Sequence, residues 1–189
     1  MRVIAGVHKG RQLKAVPGKS TRPTTDKVKE AVFQILGPFF DGGACLDLFA
    51  GSGSLGIEAL SRGMENGVFV DKHPKAIHTI YDNLKTLRLD KNAEVFRAEA
   101  FRALGAAAKR SLQFDLILLD PPYGKVSYEK LIHEIHKLQL LKNNGILYCE
   151  HDPAEKLPDE DENFSIVKKE DYGGTIGITI YRKNQRGNS

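Results

Sequence analysis

Apolar positions along this chain follow two alternating rhythms. Short continuous runs read as buried strands at 44–50, 67–71, 94–97, 114–120 and 145–150, and between them apolar residues recur every three or four positions, as on one helix face. The helical stretches are 54–62, closed by Gly63; one opened by Pro74, with Ile77, Ile80, Tyr81, Leu84 and Leu87 on one face; 101–108; and 128–141. Two last runs, 164–169 and 175–181, have no helical pattern between them and are expected to pair antiparallel. Ahead of this series, alternation at 2–6 and 10–13 predicts a short hairpin turned near His8-Lys9-Gly10, apart from the main sheet. Thr24 or Thr25 then caps a helix whose apolar stripe is Val28, Ala31, Val32, Ile35 and Leu36, and which Gly37-Pro38 ends. The order predicts an α/β fold: a doubly wound, mostly parallel, seven-stranded Rossmann-like sheet with a C-terminal antiparallel hairpin and a small N-terminal hairpin-and-helix extension. Residues 1–40 are expected to form the extension and 41–189 the main domain.

Composition narrows the class. With 189 residues, 41% hydrophobic and 28% charged, the chain suits one globular core. The N-terminus carries no apolar stretch of signal-peptide length and no window approaches a membrane span, so a cytoplasmic protein is expected. The two cysteines, Cys45 and Cys149, fall inside strands and read as core residues. A net charge of +4 hides an asymmetry: the first thirty residues carry eight basic side chains against two acidic ones. An arm with Arg2, Lys9 and Arg11 on a near-neutral body suits a polyanion such as a phosphate backbone, although a solvated tail has the same composition.

Two loops carry candidate chemistry. The first, Asp47-Leu48-Phe49-Ala50-Gly51-Ser52-Gly53-Ser54-Leu55-Gly56, follows a strand, opens a helix and contains G-x-G-x-x-G. That pattern alone would also suit a dinucleotide. Asp47, four residues before the first glycine, would repel a pyrophosphate and favour a cationic ligand, and S-adenosylmethionine carries an ammonium and a sulfonium but no phosphate. Gly51 and Gly53 allow close backbone approach, and Phe49 lies within the same loop. Asp71, at the end of the second strand, is placed to meet ribose hydroxyls. Glu99 and Ala100, after the third, are placed to meet the adenine, although Glu99 could equally cap the following helix.

The second loop, Asp120-Pro121-Pro122-Tyr123, follows the most continuous apolar strand. An exocyclic nucleobase amine is a weak nucleophile, and methylating it requires acceptors for both of its N–H groups. The Asp120 carboxylate can take one and the Pro121 carbonyl the other, while Pro122 keeps that carbonyl aimed and Tyr123 offers a flat stacking face. A carboxylate can accept both N1–H and N2–H of guanine, whereas N1 of adenine is an acceptor that it would repel.

These segments resemble the RsmD-type 16S ribosomal RNA guanine-N2 methyltransferases. The resemblance runs through Arg2-Val3-Ile4-Ala5-Gly6, Lys9-Gly10-Arg11, the stretch from Arg22-Pro23-Thr24-Thr25 to Phe33, Leu46 to Gly53, and Asp120 to Tyr123. Gln34 departs from the asparagine expected after the phenylalanine. The resemblance implies methyl transfer from S-adenosylmethionine to N2 of one guanine in small-subunit ribosomal RNA, within the subunit or an assembly intermediate, with no obligate protein partner. It also implies that Arg22 and Thr24 lie near the cofactor and target, where they can meet phosphate. The principal alternative is a DNA adenine-N6 methyltransferase, which shares both loops but needs an added target-recognition region. A nicotinamide-binding protein would share only the first loop, and a non-catalytic RNA-binding module would lack donor affinity. His133 and His136, one helical turn apart, lack a third ligand in sequence and do not form HExxH, so no metal is expected.

Overall fold

Each apolar run becomes a strand, or part of one, in the computed structural model, which describes residues 1–18 and 25–185. The chain divides into two units, Met1–Ala100 and Phe101–Ser189. In the first, β1 (Ala44–Asp47), β2 (Asn66–Asp71) and β3 (Ala93–Arg97) run parallel in the order β3-β2-β1, with Leu46 opposite Val68 and Phe69 opposite Val95. Three helices belong to this unit: α1 (Asp26–Leu36), α2 (Ser54–Ser61) and α3 (Pro74–Thr86). A fourth, α4 (Ala100–Lys109), begins at the unit's last residue. The second unit holds β4 (Phe114–Leu119), α5 (Tyr128–Lys137), β5 (Leu141–His151), β6 (Phe164–Tyr172) and β7 (Ile176–Lys183). Its strand order is β4-β5-β7-β6; β4 and β5 are parallel, and β7 runs against both β5 and β6. The seven strands alternate with helices as far as β5 and end in an antiparallel pair, the α/β class predicted. Among the described residues no helix is long and apolar enough to cross a membrane.

Boundaries differ where the chain turns without a proline or glycine signal. α5 ends at Lys137 rather than 141, because Gln139 takes φ 54° and the Leu140 N–H bonds back to Ile135 O; Leu141 then starts β5. The apolar run Leu138-Gln139-Leu140-Leu141 hides that break, since it fits a helix or a strand equally well. β1 ends at Asp47, and the next residues turn into the glycine loop.

Helix faces are also rotated from the expected stripes. α1 buries Val28, Lys29, Val32, Phe33 and Leu36, while α3 buries Ala76, Thr79, Ile80, Asn83 and Leu84 and leaves Tyr81 exposed. The buried polar residues follow from what they meet. Glu58 of α2, fully buried, accepts hydrogen bonds from Arg62 Nε (2.9 Å) and from the N–H groups of Ile4 and Ala5, and lies 3.6 Å from Lys29 Nζ. The buried Glu58 charge is retained because two cations pair with it and backbone N–H groups donate to it.

The predicted N-terminal hairpin is present as a minimal pairing, with an Arg2–Gln12 antiparallel bridge and a Val3 N–H to Arg11 O bond. It is fastened to α2: Ser61 Oγ donates to Ala5 O (2.7 Å) and accepts the His8 N–H (3.0 Å). Gly6 is required where it passes closest, because a Cβ there would fall 1.9 Å from Ser61 O. At the start of α1, Thr25 is the cap, its hydroxyl accepting the Val28 N–H. Thr25→Ala is expected to cost about 1 kcal/mol, lowering Tm by about 2–4 °C for a chain of this size, measurable by calorimetry. An unchanged Tm would show that the cap is not limiting.

Candidate active site

In the first unit, β1 delivers Asp47 to the base of the glycine loop. Its carboxylate is buried, and Oδ2 accepts the Gly56 N–H at 3.0 Å. Gly56 is needed for this approach, since a Cβ there would fall 2.5 Å from the Phe69 ring. Burial pushes the Asp47 pKa from 3.8 to about 7; the Gly56 N–H pulls it down and the neighbouring Asp71 charge adds to the rise. A carboxylate in that condition gains from a cationic partner and penalises an anionic one.

Asp71, at the end of β2, accepts the Gly51 N–H on Oδ2 (2.9 Å) and the His73 N–H on Oδ1 (2.9 Å). It therefore fixes the loop after β1 and the start of α3 together, and each carboxylate oxygen has a further lone pair for a hydroxyl donor. Gly51 and Gly53 take φ 56° and 85°, conformations that glycine adopts without strain. A Cβ on Gly51 would meet nothing within 4 Å, so the backbone there borders open space. Phe49 is half-buried in the loop; Glu99, after β3, is exposed, and Ala100 is buried as the first residue of α4.

These residues fit S-adenosylmethionine better than a dinucleotide. Two carboxylates flank a glycine backbone bordering open space, the wrong electrostatics for a pyrophosphate and the right one for an ammonium or sulfonium.

In the second unit, Asp120-Pro121-Pro122-Tyr123 leaves the carboxyl end of β4. Pro121 is buried and Tyr123 partly exposed. The Lys125 N–H bonds to Pro122 O, with Gly124 at φ 70° in the third turn position. The first residue of α5, Tyr128, closes the loop from the far side: its hydroxyl donates to Leu119 O (3.4 Å) and to Glu150 O. Burial keeps that phenol far above its ordinary pKa, so it stays a donor. Tyr148 OH donates to Glu150 Oε2 (3.0 Å). At the tip, Tyr123 OH donates to Thr175 O (3.2 Å) in the β6–β7 turn, which ties the ring by its edge and leaves part of its surface open.

Of the basic residues expected to meet a polyanion, Arg2 is exposed but bonded through Nε to Asp26 (2.7 Å), Arg11 reaches Thr86 O, and Lys9 is exposed. Arg22 and Thr24 lie outside the described residues. His136 sets its ring edge-on to Phe164 at 5.9 Å, a packing role. Missed in the sequence were Asn83, Tyr128 and Glu150. Asn83 left one trace, a polar residue at helical spacing inside an apolar stripe; Tyr128 and Glu150 left none, because a helix-start tyrosine and a strand-end glutamate are ordinary.

The model of a family described as conserved hypothetical protein 95 matches residues 1–182. A Bacillus subtilis protein, YlbH, named provisionally as an rRNA methyltransferase, is 55% identical over 183 residues, covering 97% of this chain and 99% of that one. Ribosomal RNA small subunit methyltransferase D of Haemophilus influenzae is 35% identical over 186 residues, covering 98% of this chain and 93% of its own. Among solved structures, the Escherichia coli protein yhhF, described provisionally as a methyltransferase, superposes with TM-score 0.83 at 31% identity, covering 98% of this chain and 99% of that one.

Proposed function

This chain belongs to the RsmD-type family of ribosomal RNA methyltransferases, and from that membership we propose that it methylates the exocyclic N2 amine of one guanine in small-subunit ribosomal RNA, with S-adenosylmethionine as donor. The observation that carries the reading is the pair of carboxylates on the glycine loop, Asp47 on Gly56 and Asp71 on Gly51. They favour a cationic donor and disfavour a nucleotide phosphate. When bound, S-adenosylmethionine supplies an electrophilic methyl group on a sulfonium. Asp47 faces its cationic part, the Gly51 and Gly53 backbone admits it closely, and Asp71 receives ribose hydroxyls. Phe49, Glu99 and Ala100 complete the donor side.

The acceptor side is the Asp-Pro-Pro-Tyr loop. Asp120 accepts N–H from the target base and draws off positive charge as the amine is alkylated; the Pro121 carbonyl takes the other N–H. Pro122 keeps that carbonyl aimed, the Tyr128 hydroxyl bonds to Leu119 O at the end of the preceding strand, and Tyr123 stacks on the extruded base. Guanine is favoured over adenine because Asp120 is an acceptor and adenine N1 is another.

Residues 1–40 act as the RNA-facing extension and 41–189 as the catalytic domain. Arg2, Lys9 and Arg11 contribute phosphate contacts, as do Arg22 and Thr24. Because the basic arm is short, the assembled particle or an assembly intermediate in the cytoplasm is the better substrate than naked RNA, with no obligate protein partner.

Labelled S-adenosylmethionine incubated with this protein and small subunits from cells lacking the gene is expected to yield N2-methylguanosine at a single site. Label on DNA adenine alone would replace this reading with the adenine-N6 alternative. Equal methylation of naked RNA and assembled subunits would remove the preference for the particle.

A further inference from the structure

Asn83 is buried on the inward face of α3, and its amide is used at both ends. Nδ2 donates to Ser52 O (2.9 Å) and to Lys14 O (3.0 Å), and Oδ1 accepts the Lys14 N–H (2.8 Å). The two bonds to Lys14 have the form of strand pairing, made by a side chain. The bond to Ser52 falls between Gly51 and Gly53. One amide therefore pins the N-terminal arm and the glycine loop at once.

Two neighbouring contacts repeat the link. Lys29 Nζ donates to Arg2 O (2.7 Å) and to Ser54 Oγ (3.0 Å), and the Ser52 hydroxyl contacts Met1 Sδ at 3.7 Å. Arm residues Met1, Arg2 and Lys14 thus converge on Ser52 and Ser54, the two serines flanking Gly53. The loop packs through Leu48, Ala50 and Leu55, but its two left-handed glycines have no side chains to pack, and Gly51 borders open space. That glycine segment is fixed by polar contacts, and at Ser52 and Ser54 those contacts also grip the arm.

We propose that Asn83 is a positioning residue that makes residues 1–14 part of the donor site, so that donor binding and ordering of the arm reinforce each other. The proposal rests on the reading that the glycine loop binds S-adenosylmethionine. A loop that must be preorganised to bind gains affinity from whatever holds it in place, and the coupling is reciprocal. Lys9 and Arg11 lie on the same arm, so a polyanion engaging them would tighten donor binding without touching the donor.

The test uses the whole protein, with S-adenosylmethionine affinity measured by calorimetry and amide exchange followed with and without it. In the wild-type protein, S-adenosylmethionine is expected to slow exchange across residues 3–14. Lys14→Pro removes the N–H that Asn83 accepts while leaving α3 intact; it should weaken affinity about fivefold, the effect of one net hydrogen bond, and abolish the slowing. Asn83→Ala should weaken it roughly tenfold, since both acceptors lose their donor; if that variant does not fold, Lys14→Pro carries the test. Asp82→Ala removes the exposed contacts to the Lys14 ammonium (3.3 Å) and to His78 (3.5 Å), leaves the Asn83 bonds in place and should bind like wild type. Wild-type affinity in Lys14→Pro, with arm exchange indifferent to S-adenosylmethionine, would overturn the coupling and leave the donor site standing. Failure of the wild-type protein to bind S-adenosylmethionine would overturn both.

Discussion

Asp120→Ala is expected to lower methyl transfer to small subunits by about a thousandfold, the scale seen when one group that stabilises developing charge is removed from a water-excluded site. Donor affinity should be unchanged, because the carboxylates assigned to the donor, Asp47 and Asp71, sit on the glycine loop. The loop's geometry should survive as well. Pro121 stays buried, the turn from Pro122 to Lys125 is closed by backbone, and the Tyr128 hydroxyl continues to bond to Leu119 O. What the substitution takes from the chemistry is the acceptor for the amine N–H. Turnover by labelled methyl incorporation, with donor binding measured separately, checks this. Wild-type turnover in Asp120→Ala would remove the residue from the chemistry, whereas parallel loss of turnover and donor binding would make its role structural.

Asp47→Asn is expected to weaken donor binding about a hundredfold at pH 8, as the breaking of a buried charge pair by a neutral isostere would. The same variant should stabilise the donor-free protein. The native pKa of Asp47 is raised from 3.8 to about 7 by burial, so between those values the folded state holds a proton that the unfolded state has released. Stability therefore falls as pH rises through that window and stays lower above it, by at most about 4 kcal/mol at 1.4 kcal/mol per pKa unit. Asparagine removes that loss. The donor-free variant should melt higher than wild type at pH 8, and the difference should vanish near pH 4. Wild-type donor affinity should rise with pH through about 7, because the ionised carboxylate is the form that meets a cation, and Asp47→Asn should flatten that profile. Identical pH profiles in the two proteins would mean that Asp47 does not face the donor's charge.

The positions of both residues at strand ends were legible in the sequence, and the reason is local. Asp47 and Asp120 each close an apolar run and precede a loop whose glycines or prolines constrain it, so strand end, loop and chemistry are read within about ten residues. The strand positions were legible for the same reason, since continuous apolar runs of strand length bounded by turn residues have few other uses. Where an apolar run crossed a boundary, as at Leu138 to Leu141, pattern could not find the turn. The backbone of Gln139 decided it.

Helix faces show the limit most directly. The apolar stripes include Tyr81 and leave out Lys29, whereas the fold exposes the tyrosine and buries the lysine. Lys29 is drawn in by Glu58, Ser54 and the Arg2 carbonyl, and on α3 the buried face includes Asn83, bonded to Lys14 and Ser52, rather than Tyr81.

The amino-acid sequence by itself determined the alternation of strands and helices, the two loops at strand ends and the carboxylates, glycines and prolines that they carry, because those properties depend on residues near one another in the chain. Only the tertiary structure decided which buried polar groups hold those loops in place. Asn83 is 69 residues from Lys14 and 31 from Ser52, and Tyr128 lies 22 from Glu150. Hydrogen bonds across such separations leave no periodicity behind; they exist because a desolvated donor must find an acceptor once the chain has folded around it.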